Sequence, residues 1–127
     1  MSERFPRPLT QREADLLHHL LSVEFPGRDA LSEQAKTVEV VGRWNGEPTI
    51  ELNVPTQLAP RAVVENHPPV EASTPDRLYT VVLDVKDGWL SLLELVDNAG
   101  KGMLRELPGP QDLAAPDALG PTAARSW

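Results

Sequence analysis

Asp87-Gly88 lies between two apolar, β-branched runs, Leu78–Lys86 and Trp89–Val96, and nothing else in the chain constrains its fold as much. A two-residue type I′ turn needs positive φ at both central residues, which Gly tolerates fully and Asp tolerates better than most. The stretch is therefore expected to form a β-hairpin, with Lys86 opposite Trp89 and Val85 opposite Leu90. In a regular ladder one face would carry Tyr79, Val81, Leu83, Val85, Leu90, Leu92 and Val96, and also Glu94 opposite Val81. A lone carboxylate on an apolar face is costly. Either Glu94 is a buried functional acid, or a bulge at Leu92-Leu93 shifts the phase so that Leu93 and Leu95 point inward. The bulge is the favoured expectation, because unpaired buried carboxylates are rare.

The N-terminal part reads as helical. Thr10 and Glu13 form a capping-box pattern, and Ala14, Leu17, Leu20, Leu21 and Phe25 recur at helical spacing up to Pro26-Gly27. That predicts a helix to about Glu24 after an irregular lead over residues 1–8. A shorter helix is expected from Arg28 to Lys36, with Asp29 as its cap. Strands follow over Thr37–Arg43 and Thr49–Val54, joined by a three-residue Trp44-Asn45-Gly46 loop that pairs Val40 with Ile50 and Val38 with Leu52. Four prolines break Pro55–Pro69 into a long loop, and loops of that length are often functional. Val70–Ser73 reads as a short strand, Thr74–Arg77 as a turn, and Gly102–Leu107 as a last strand.

Helices first and hairpin-connected strands after give an α+β fold: an N-terminal helix and a short second one on an antiparallel sheet of about five to six strands. Residues 1–107 form the expected domain. Residues 108–127 form a Pro/Ala-rich tail with Leu113, Leu119 and Trp127 as its large apolar anchors, expected to dock on its own sheet or on a neighbouring chain.

Several function classes are disfavoured by composition. The 127 residues carry a net charge of −7 and no cysteine. Disulfides, thiolate metal sites and Cys nucleophiles are excluded. Nucleic acid is an unexpected partner for so acidic a chain. No apolar run approaches the ~20 residues of a membrane span, and the N-terminus lacks a signal-peptide core, so a cytoplasmic location without membrane contact is expected. There is no Gly-x-Ser-x-Gly and no glycine-rich phosphate loop.

Few residues suggest chemistry. Asp15 and His19 stand i, i+4 on the first helix, a spacing that suits two metal ligands, but a third is missing and an exposed helix pair is the plainer reading. His67, in the long loop, would offer acid–base chemistry with Glu71 or Glu94, and reads more simply as a solvated loop histidine. Trp44 and Trp89 sit at hairpin ends and Trp127 closes the chain. Tryptophan is enriched at interaction hot spots, and equally caps the open ends of sheets. No cofactor is implied.

RPLTQREADLLHHLLSVEFPGRDAL, PPVEAST and LDVKDGWLSLLELVDNAGKGMLRELP together resemble a family of small bacterial, mostly actinobacterial, proteins of unknown function. There a capped helix and FPGRD precede strands ending in DGxLxxLE and LP. The resemblance covers residues 7–108, departs around Glu47–Asn66 and excludes the tail. It implies an α+β fold and brings no catalytic residues. The functional expectation is a small acidic module that binds another protein, or itself, without catalysis. The alternative is a small-molecule binder or enzyme with a pocket between the first helix and the sheet, or under the 55–69 loop.

Overall fold

The computed structural model describes residues 3–119. Helices α1 (Gln11–Leu20) and α2 (Arg28–Gln34) pack on a seven-stranded antiparallel sheet, an α+β fold as expected. The strands are β1 (Arg7–Pro8), β2 (Glu39–Arg43), β3 (Ile50–Asn53), β4 (Val70–Ser73), β5 (Tyr79–Lys86), β6 (Trp89–Asp97) and β7 (Asp117–Ala118). Their spatial order is β1-β2-β3-β6-β5-β4-β7.

The central hairpin forms at Asp87-Gly88, whose φ values of 53° and 87° satisfy the I′ requirement. Lys86 faces Trp89 and Val85 faces Leu90, but Asp84 already faces Leu92, so Ser91 is the extra residue of a bulge. The expected phase shift is present one residue earlier than Leu92-Leu93. After it, Leu93 and Leu95 turn inward and are almost fully buried, and Glu94 takes the opposite face across from Val82.

Both helices lie on one face of the sheet. Leu16, Leu17 and Leu20 of α1 and Leu31 of α2 join Val40, Ile50, Val70, Val81, Leu83, Leu90, Leu93 and Leu95 in one core. The Thr10–Glu13 capping box is formed. α1 ends at Leu20 rather than Glu24. Leu21 has already left helical geometry, and the Ser22 hydroxyl donates to the His19 carbonyl at 2.6 Å, a local bond that competes with the helix. The residue that precedes α2 is Gly27, with φ of 92°, so no side chain caps the helix and Asp29, expected as the cap, lies in its first turn.

Three other expectations are corrected. The lead pairs with β2 through Arg7 and Pro8, adding an edge strand. The β2–β3 connection runs from Trp44 to Thr49 because Val41 bulges out, so Val40 faces Leu52 and Arg43 faces Ile50. Residues 102–107 form no strand; only Leu107 of that stretch is buried. The segment after Pro108 lies on the chain's own sheet, one of the two expected alternatives: Leu113 packs against the core and β7 pairs with the outer edge of β4. Leu119 is half-buried there and its N–H donates to the Pro69 carbonyl, whereas Trp127 lies outside the described residues. The two added edges raise the strand count above five to six.

Candidate interaction surface

The face of the sheet turned away from the helices holds the most ordered arrangement of polar and apolar side chains. Side chains alternate along a strand, so the partners of inward residues define this face. Across β3, β6 and β5, Glu51 faces Leu92 and Leu92 faces Asp84. Across β4, β5 and β6, Glu71 faces Val82 and Val82 faces Glu94. Each row is acid, apolar, acid. Strands are about 4.8 Å apart, so the two acids of a row flank their apolar residue at a span of about 10 Å. The rows are staggered, which gives one apolar diagonal, Leu92 to Val82, and one acidic diagonal, Asp84 to Glu94. Beyond them Val96 faces Thr80. Val82, Leu92 and Val96 are half-buried.

The acidic diagonal has an electrostatic consequence. Partial burial, the Asp84 charge, a hydrogen bond shared with Asp84 and the more distant Glu47 push the Glu94 carboxyl above the usual glutamate range. No lysine or arginine among the described residues forms a salt bridge with Glu47, Glu51, Asp84 or Glu94. Glu51 lies over Gly42 of β2, where an added Cβ would run into its carboxylate; the glycine leaves that side chain room to lie across the strand.

A second surface lies at the hairpin turn. Gln34 of α2 is fully buried and binds three backbone groups: its amide donates to the carbonyls of Pro60 (2.9 Å) and Gly88 (2.8 Å), and its carbonyl accepts from Leu90 N–H (2.9 Å). The Ala62 N–H donates to the Gly88 carbonyl, and Arg61 Nε to that of Asp87. The 55–69 loop is thereby strapped to the turn, with Leu58 and Val63 exposed, Val63 at 82%. An open cleft of about 440 Å³ lies there, lined by Arg61, Val63, His67, Asp87 and Gly88. His67 donates from Nδ1 to the Val85 carbonyl at 3.0 Å, which leaves Nε2 as the ring's free acceptor in a neutral tautomer. Sequence reasoning missed Gln34, since a glutamine near a helix end reads as surface.

The remaining candidates do not converge. Asp15 accepts from Gln11, and His19 Nε2 contacts the Ala114 carbonyl at 2.9 Å, which ties α1 to the segment after Pro108. No group of three or more possible metal-ligating side chains occurs among the described residues. Trp44 is half-buried in the β2–β3 connection, its N–H donating to the Thr49 carbonyl. Trp89 packs partly against the edge of the core and borders a small cavity with Asn53, Lys86 and Ser91. His67 and Glu94 belong to different surfaces: the first is in the loop strapped to the turn, the second on the bare sheet face.

A third cluster lies between β2 and the start of α1. Arg43 forks onto Glu3 at 2.5 and 2.9 Å, and Arg7 reaches Glu3 and, through two bonds of 2.8 and 3.0 Å, Glu13. The bonds from Arg43 draw the Glu3 carboxyl down to about 2. Burial opposes ionisation of Glu13, but Arg7 and the Thr10 N–H outweigh it and the carboxyl falls below its usual value. This is a fully paired network with a cavity of about 240 Å³ beside it, and its chemistry is structural.

No described helix is long and apolar enough to cross a membrane. No family model, curated protein or solved structure matches this chain.

Proposed function

We propose that the chain is a non-enzymatic interaction module that docks a protein partner on the bare face of its sheet. The observation that carries this reading is the face itself, where Val82, Leu92 and Val96 share one surface with Glu51, Asp84 and Glu94, which form no salt bridge among the described residues. The space between α1 and the sheet is filled by Leu16, Leu17 and Leu20, all almost fully buried, which speaks against a ligand pocket there. The strand edges are poor docking sites. β1 and β7 are two residues long, and β1 carries Pro8, which cannot donate to a ladder. A cytoplasmic location and membership of the small bacterial family suggested by the motifs fit this reading, and neither adds to it.

The cysteine-free sequence makes a direct test simple. A photo-crosslinker placed at Leu92→Cys in the full chain, with Ser32→Cys on α2 as control, is exposed to extract of the native host. A discrete adduct from position 92 alone supports the proposal. The same adducts from both positions, or none from 92, reject it. A second reading, small-molecule binding, is favoured by the cleft around His67, Arg61 and Asp87. Native mass spectrometry of the purified chain, before and after His67→Ala, tests it: a bound mass that the substitution removes would support that reading.

A further inference from the structure

The staggered rows also say what kind of partner the face fits. We propose that it binds a basic amphipathic helix of another protein, with the helix's apolar stripe along the Leu92–Val82 diagonal and its lysines or arginines over the flanking carboxylates. The inference rests on the interaction reading above and adds the partner's chemistry.

Three features argue for it. The flanking acids of a row span about 10 Å, close to the diameter of a helix with its side chains. Cations at the two borders of an apolar stripe would therefore fall near Glu51 and Asp84 in one row and near Glu94 in the next. Asp84 and Glu94 lie diagonally across the ladder with no salt bridge to a cation among the described residues, and an incoming ammonium or guanidinium would supply one. Lys86, the one basic residue on β5 and β6, sits at the turn end and makes no salt bridge with Asp84. Lastly, this sheet already binds amphipathic helices on its other face, where α1 and α2 lie, while its short edges discourage strand addition.

The test uses the isotopically labelled full chain and a synthetic leucine–lysine helical peptide as probe, with a leucine–glutamate peptide of the same pattern as control. Binding of the lysine peptide alone, with amide shifts concentrated at Val82, Asp84, Leu92, Glu94 and Val96, is expected. The isosteric double variant Asp84→Asn/Glu94→Gln should weaken it about tenfold or more, the scale of a lost charge-assisted contact. The double variant Asp29→Asn/Glu33→Gln on α2, with the same change of net charge, should change it by no more than about twofold at physiological salt.

Equal weakening by both double variants would mean general attraction to an acidic protein and would overturn the proposal. Shifts centred on the helices or the 55–69 loop would overturn it too. Peptide binding that appears only after removal of residues 120–127 would assign the face to the chain's own tail. A concentration-dependent dimer abolished by Leu92→Ser would assign it to a second copy. Either outcome rejects the basic-helix partner. A specific photo-adduct at position 92 with no peptide binding would reject the partner chemistry and leave the interaction reading standing. Loss of both would reject both.

Discussion

The two faces of β5 and β6 are built from the same strands, residue by residue, and they differ in what they ask of a neighbour. Toward the helices, Val81, Leu83, Leu93 and Leu95 are almost completely buried. Toward the open side, Val82, Leu92 and Val96 alternate with Asp84 and Glu94 and remain half-buried. The acids differ as well. Glu13, near the helix-covered side, is paired with Arg7 and drawn down, while Glu94 faces Asp84 and is pushed up. One face has satisfied its groups within the chain. On the other, Glu51, Asp84 and Glu94 form no salt bridge among the described residues.

If that contrast is right, truncating the two faces should give unequal costs, and this is the largest effect expected. Leu93→Ala should lower stability by about 2–5 kcal/mol, since it leaves a cavity in a packed core. Leu92→Ala, one residue earlier, should cost under about 1 kcal/mol because the surface can relax around it. Urea denaturation of both variants checks this. Similar losses would mean that something covers the open face.

Gln34 tests how the helix-covered side holds the loop. Gln34→Leu keeps the volume but strands the Leu90 N–H and the Pro60 and Gly88 carbonyls, which should cost about 3 kcal/mol. Amide hydrogen exchange should accelerate at Leu90 and Ala62 before it does at Val82. Uniform acceleration would show that the loop and the hairpin open as one unit.

Much of this contrast could be read from the sequence. Asp87-Gly88 announced the hairpin because I′ geometry admits few other pairs, and Glu94 betrayed a bulge because a carboxylate broke the alternation. The bulge was placed a residue late, since a phase change between Leu90 and Leu93 looks the same to periodicity wherever it falls. The β2–β3 loop was misjudged for a tertiary reason. Val41 bulges out of β2, and Thr49 is fully buried with its hydroxyl accepting from the Leu95 N–H on β6 while its carbonyl accepts from the Trp44 N–H, so the connection is held by β6 as well as by its own hairpin. Gln34 was illegible for the same kind of reason, because its partners are 26, 54 and 56 residues away. The acid–apolar rows depend on β3 lying beside β6, and β6 beside β5 and β4, a strand order that no local pattern encodes.

The paired acids predict the acid limb of the stability curve. The folded values of Glu3 and Glu13 lie below their unfolded ones, so their stabilisation is present above the ordinary glutamate range. It is lost as pH falls through the folded values, for Glu3 down toward about 2. Arg7→Ala removes the cationic partner of Glu13 and one of the two partners of Glu3, which keeps Arg43. It should move the acid-unfolding midpoint to higher pH, followed by circular dichroism, and should leave stability below pH 2 almost unchanged.

Glu94 should behave with the opposite sign, and its effect is the smallest. A carboxyl whose folded value is raised binds its proton more tightly in the folded state than in the unfolded one. As pH rises through the unfolded value toward the folded one, the folded state must give up that proton beside Asp84, and stability falls. Glu94→Gln keeps the shape and removes the charge. It should stabilise the chain by about 0.2–1 kcal/mol at neutral pH, the usual size of a like-charge cross-strand contact, and by nothing below the ordinary glutamate range. Urea denaturation at pH 3 and pH 7 separates the cases. A variant less stable than the parent at pH 7 would mean that ionised Glu94 is held by a favourable contact, and the open face would then be satisfied within the chain like the covered one. If the gain appears at neutral pH and vanishes in acid, the parent chain carries a small electrostatic cost on its bare face, one that a bound cation would remove.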